Sequence, residues 1–128
     1  VYPKKRMGDG KITAENIADF TFPSPAAWLR GFQDAKFVVA DSFHGIVFSI
    51  LFNGPFLAIG NKERGMTRFT SLLKMFGLED RLVTDISALD VDSFLKKQID
   101  WERVNGILEK ERGKAIILFS NNIIFFLL

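Results

Sequence analysis

Val38-Val39-Ala40-Asp41-Ser42-Phe43-His44-Gly45 is the stretch whose reading decides the fold. An apolar run ends there in a polar turn, and the turn holds the only histidine of the chain. From Lys36 to Ala40 every residue after the first is apolar. The lack of alternation predicts a short strand buried on both faces, as in a parallel sheet. A second apolar run, Phe56-Leu57-Ala58-Ile59, leads into Asn61-Lys62-Glu63-Arg64-Gly65-Met66-Thr67-Arg68-Phe69. Two apolar runs that each deliver a polar turn, one with His and one with Arg, are how an α/β enzyme builds a site for an anion.

The segment between them, Ile46 to Phe52, has two readings. Its Val, Ile and Phe favour a strand, which would make Asp41 to Gly45 the turn of an antiparallel hairpin. Two parallel strands instead need a crossover, and the segment then becomes a buried helix. Pattern alone leaves these level.

Working outward, Met66, Phe69, Leu72, Leu73 and Phe76 follow helical spacing, with Gly77 as the C-terminal cap. Arg81-Leu82-Val83 is a short strand candidate. Ser87 and Ser93 are candidate caps for a helical segment around Phe94 and Leu95. Trp101, Val104, Leu108 and Ala115 line one face of a last long helix. Upstream, Ser24-Pro25 reads as a helix start, with Trp28, Leu29 and Phe32 at helical spacing. Before it the chain is polar and rich in Gly and Pro, so residues 1–24 form an irregular lead-in. A short helix capped by Thr13, with Asn16 in the place of a capping-box Glu, is the one element expected there. Strands alternating with helices give an α/β class with a parallel sheet.

Bulk composition bounds the rest. The 128 residues make one domain, and 48% hydrophobic content with 14 Phe supplies a core. Lys and Arg number 17 against 15 Asp and Glu, so the net charge of +2 is a small excess without a basic stripe. That argues against a nucleic-acid partner. No cysteine is present, which removes disulfides and thiolate metal sites. With one histidine, no metal site is expected.

The start, Val1-Tyr2-Pro3-Lys4-Lys5-Arg6, has no apolar segment behind it and is not a signal peptide. It reads as the interior of a longer chain. Residues 115–128 form an atypical apolar tail, broken only by Ser120-Asn121-Asn122. The tail is shorter than the ~20 residues of a spanning helix. A final element docking its apolar side on the core is favoured over a membrane-touching tail or a segment foreign to the domain.

The residue chemistry is specific at few positions. His44 titrates near neutrality and suits proton transfer; otherwise it is a histidine bonded to a carbonyl. Asp41 is either a base or orienter beside His44, or the cap of the next helix. Arg64 and Arg68 suit a phosphate or carboxylate. A cation in the first turn of a helix is disfavoured by the helix dipole unless an anion sits between, so Arg64-Gly65 reads as an anion loop. Asn61 orients that loop or meets a hydroxyl. Ser49, without a nucleophile motif or a second histidine, bonds its own helix backbone. Trp28 and Trp101 read first as packing residues, and as sugar platforms second.

Taken in order, Asp41-Ser42-Phe43-His44-Gly45, Phe48-Ser49-Ile50, Phe52-Asn53-x-Pro55-Phe56, Asn61-x-x-Arg64-Gly65-x-x-Arg68-Phe69-x-Ser71-Leu72-Leu73 and Phe76-Gly77-Leu78-x-Asp80-Arg81 resemble the C-terminal half of the polysaccharide pyruvyltransferase family. The resemblance runs from Trp28 to Val83. It implies strand, turn, helix, strand around His44, and a Rossmann-like domain forming the second half of a GT-B-like two-domain enzyme. It further implies transfer of pyruvate from phosphoenolpyruvate to a sugar as a ketal, in exopolysaccharide biosynthesis. No cofactor is implied beyond that donor substrate.

By position, His44 is the implied catalytic residue. Ser42, Phe43, Gly45, Asn61, Arg64, Gly65 and Arg68 are the implied substrate contacts, with Asp41 as orienter. Many relatives carry Arg-Leu-His-Gly here, and this chain has Ser42 and Phe43 at the first two places. The implied partners are phosphoenolpyruvate, a saccharide acceptor and the other domain of the same protein. No membrane span is expected. The location is cytoplasmic, extending to the inner face of the membrane. The exposed cleft face makes a homodimer of the isolated, inactive half an expectation. Two rivals stand beside this reading: half of a nucleotide-sugar glycosyltransferase, and a non-catalytic α/β binding module.

Overall fold

The computed structural model describes residues 10–21, 23–60 and 66–120. At its centre is a three-stranded parallel sheet in the order β1 (Val38–Ala40), β2 (Phe56–Ile59), β3 (Leu82–Val83). Val38 pairs with Phe56 and Ala40 with Ala58, and Ala58 pairs in turn with Leu82. Helix α3 (Phe43–Leu51) crosses from β1 to β2, and α4 (Thr67–Phe76) stands between β2 and β3. Ile46 to Leu51 is therefore helical, and the hairpin alternative is set aside. Parallel pairing demands the crossover.

Both crossovers end alike. After α3, the amide of Gly54 donates to Ser49 O and that of Asn53 to Ile50 O, with Asn53 in the left-handed region at φ 53°. After α4, Leu78 N donates to Leu73 O and Gly77 N to Lys74 O, with Gly77 at φ 61°. These paired bonds satisfy the last helix carbonyls and turn the chain back toward the sheet.

Burial follows position in the sheet. The central strand β2 has Phe56, Leu57 and Ala58 all buried. β1 is an edge strand, and Val39 is 60% exposed. The burial on both faces expected of β1 fails there, and it is β2 that shows it. Ile46 and Ile50 of α3, Leu73 and Phe76 of α4, Leu78 and Val104 complete the core around Ala40, Phe56 and Ala58.

Helix α2 (Pro25–Asp34) begins where Ser24-Pro25 places it, and Ser24 Oγ accepts from Ala27 N. It docks through aromatic rings. Trp28 meets Phe32 at 4.8 Å and Phe48 of α3 at 5.3 Å between centroids, both edge-to-face. Near the start, α1 (Ile17–Phe20) opens later than Thr13. The Asn16 carboxamide folds back to accept from Thr13 N, 2.7 Å away, which completes only half of a capping box.

Past β3, the caps differ from those expected. Asp85 caps a 3₁₀ turn (Ile86–Ala88) and Asp90 caps α5 (Val91–Lys96), accepting from the amides of Ser87 and Ser93 respectively. A carboxylate out-competes a hydroxyl for these amides. Arg81, only 2% exposed, donates to Lys97 O and lies 5.2 Å over the Phe94 ring, pinning the C-terminal half of α5. The last helix, α6 (Trp101–Ser120), docks by its first turns: Val104 is buried, and Trp101, Ile107 and Leu108 pack on the core. Ala115 and Ile116 are exposed, so the docking face stops short of Ala115. Residues 121–128 of the apolar tail lie outside the described residues.

Candidate functional site

Parallel strands β1 and β2 end side by side, and each delivers a helix start to the same edge of the sheet. That edge is where ligands sit in open α/β sheets.

The first junction is two residues long. Ser42 caps α3, and its Oγ accepts from Gly45 N at 3.2 Å. Asp41 is thus not the cap. A hydroxyl that accepts this bond keeps its proton to donate elsewhere. Gly45 is buried for a steric reason. A Cβ there would stand 2.9 Å from Ala40 Cβ and 3.1 Å from Ser42 Oγ. The missing side chain lets α3 press against the end of β1. Ser49 Oγ donates to Gly45 O at 2.8 Å, the backbone bond expected of it. His44 occupies the first turn of α3 and is exposed, with its ring edge-to-face with Phe43 at 6.0 Å. Among the described residues no hydrogen bond joins Asp41 to His44, and the Asp41 carboxylate is exposed.

The second junction leaves β2 through Gly60, whose amide donates to Val83 O at 2.9 Å. A Cβ on Gly60 would lie 2.7 Å from Met66 Sδ, so Met66 folds back over the strand end. α4 then starts without a side-chain cap, and Arg68 stands exposed in its first turn. Asn61, Arg64 and Gly65 lie outside the described residues. Ser42, Phe43, His44 and Gly45 are thus brought to one strand end, with Arg68 at the start of the helix that follows the neighbouring strand.

Beside the first junction is a cavity of about 350 Å³. Trp28 and Phe32 of α2 and Ala35 just after it form one side, β1 another, and Asp41 and Ser42 contribute the polar groups. His44 does not line it, nor does any Lys or Arg among the described residues. The sequence reading took Trp28 first as a packing residue. It packs, and it also faces this space. Among the described residues no group of three or more His, Asp or Glu side chains is placed to hold a metal ion. No helix of the described residues is long and apolar enough to cross a membrane.

No curated protein and no solved structure matches the chain. The family model of polysaccharide pyruvyl transferase matches residues 3–63. The matched span holds the whole β1–α3–β2 unit with its Ser42 cap, Gly45 contact and His44, and ends just before Arg64. Residues 3–63 are thus similar to the polysaccharide pyruvyl transferase family.

Proposed function

We propose that the chain is the Rossmann-like C-terminal part of a GT-B-like enzyme that moves pyruvate from phosphoenolpyruvate to a saccharide as a cyclic ketal. The family match across the His44 junction carries this reading. The chemistry is balanced by four events. A proton adds to the methylene carbon of the donor. One sugar hydroxyl bonds to the central carbon with loss of its proton, the phosphate leaves and takes up a proton, and a second hydroxyl closes the ring with loss of its own. The enzyme must hold two anionic groups and move protons at one end of the donor.

The residues present suit that task. His44, exposed in the first turn of α3, acts as the acid that protonates the methylene carbon. The Ser42 hydroxyl keeps a proton to donate, and the amides of Phe43 and His44 open the helix, where negative charge is favoured. Ser42 brings no charge of its own. Arg68, with Arg64, Asn61 and Gly65, supplies the cationic side of the donor site. The saccharide acceptor enters across a cleft facing the other half of the enzyme. The reaction belongs to the cytoplasm and to exopolysaccharide synthesis.

The test is turnover of the intact enzyme with phosphoenolpyruvate and its acceptor, followed by phosphate release and ketal NMR. His44→Ala lowers turnover by about 100-fold or more, the scale of a lost general acid. Arg64→Ala raises the donor KM. Near-normal turnover in His44→Ala sinks the assignment of that residue.

A further inference from the structure

We infer that the cavity between α2 and the end of β1 is a subsite for a neutral pyranose ring of the acceptor saccharide. This rests on the ketal-forming reading above, but on different residues. Three observations carry it.

The first is charge. Among the described residues, the only ionisable side chain lining the cavity is Asp41, and it is exposed. No Lys or Arg among the described residues lines the cavity beside this carboxylate, which disfavours phosphate and carboxylate groups in this space. Hydroxyl groups, which donate to carboxylates, are welcome there. Ser42 Oγ, already accepting from Gly45 N, adds a donor.

The second is the aromatic wall. Trp28 and Phe32 line the cavity. The Trp28 ring is held edge-to-face by both Phe32 and Phe48, so packing fixes its orientation before any ligand arrives. Aromatic faces carry negative charge and attract the weakly positive C–H faces of a pyranose. The indole N–H meets no acceptor among the described residues and is free to donate to a ring or hydroxyl oxygen. Apolar wall and polar end together match a ring with one C–H face and a hydroxyl rim.

The third is place and size. About 350 Å³ lies within the range of small-molecule sites. The cavity shares Ser42 with the junction that carries His44, so a sugar seated in it is adjacent to the proposed donor site. Asp41 is then a hydrogen-bond acceptor for the attacking hydroxyl rather than an orienter of His44, with which it shares no bond.

Saturation-transfer NMR on the whole chain, with a panel of neutral methyl hexopyranosides as probes, tests this. Phosphoenolpyruvate binding is measured in parallel. Transfer to pyranoside C–H protons is expected for the native chain. Ala35→Phe, which fills the cavity from just after α2, weakens pyranoside binding at least tenfold and leaves phosphoenolpyruvate binding within twofold. Asp41→Asn, at an exposed position that leaves the fold intact, weakens it about fivefold. Circular dichroism confirms that each variant is folded. If Ala35→Phe does not fold, Asp41→Asn decides alone. Undiminished pyranoside binding in either folded variant overturns the inference, as does absence of transfer to every probe or binding of nucleotide sugars alone. Pyranoside binding that the variants abolish, in a chain indifferent to phosphoenolpyruvate, upholds the subsite and removes the ketal-forming reading instead.

Discussion

Helices α3 and α4 leave the sheet edge by the same device and enter it by different ones. Each exits through a left-handed residue, Asn53 or Gly77, with two backbone bonds closing the turn. At the entries, α3 is capped by Ser42 and pressed onto β1 through Gly45, whereas α4 begins at Met66 with no side-chain cap and a cation in its first turn. An exit needs only a tight return, which local backbone chemistry supplies. An entry lies at the carboxyl end of a strand, the place where open α/β sheets bind ligands. The first is fixed by its own residues. The second has no side-chain cap among the described residues and places Arg68 in the first turn, where the helix dipole disfavours a cation.

The largest test of this contrast is steric. Gly45→Ala sets a Cβ against Ala40 in a packed interior, and loses about 1–3 kcal/mol in chemical denaturation. Gly60→Ala meets the end of the flexible Met66 side chain, which swings aside, and loses about 1 kcal/mol or less. Equal losses would erase the distinction between a fixed and an adaptable junction. The next test is capping. Ser42→Ala costs about 1 kcal/mol by removing the acceptor for Gly45 N. Met66→Ser, which installs a cap where none exists, gains up to about 1 kcal/mol in the ligand-free chain. A loss in the second variant would show that Met66 packing outweighs the vacant cap.

The smallest effect concerns a third entry, the 3₁₀ turn capped by Asp85. Hydrogen bonds from the Ser87 hydroxyl and then the Ser87 amide hold the Asp85 carboxyl below its ordinary value. A lowered folded-state value means that its stabilising share is present above the unfolded value and fades as pH falls through the folded one. Ser87→Ala moves the Asp85 titration upward in a carboxyl-detected NMR experiment. An unmoved midpoint would assign the shift to the amide alone.

Signals that act over three or four residues were legible in the sequence. Ser24-Pro25 and Gly77 mark a helix start and stop because their chemistry is complete locally. Strand type around β1 was not legible, since Val38-Val39-Ala40 reads as a doubly buried run while its place at the sheet edge leaves Val39 open. The caps of the later segment were misplaced by a few residues because Asp and Ser both cap, and only geometry ranks Asp85 over Ser87 and Asp90 over Ser93. The burial of Arg81 had no sequence signal at all. A charged residue after Glu79-Asp80 reads as surface, and its partners Phe94 and Lys97 are distant in sequence. At the candidate site, the His44 turn was legible, and the role of Gly45 as a packing contact was not, because it depends on the Cβ of Ala40 across the junction.

Arg103 ties the last helix to the end of α4. Its guanidinium donates to Phe76 O at 2.7 Å and to Gly77 O at 3.2 Å, so the first turn of α6 closes the end of α4. Those two carbonyls point together only after α4 has stopped at Gly77. The docking of the last helix is therefore conditional on an earlier helix having ended in the right place. A helix α4 running one turn further would carry these carbonyls away from Arg103 and lose the clasp.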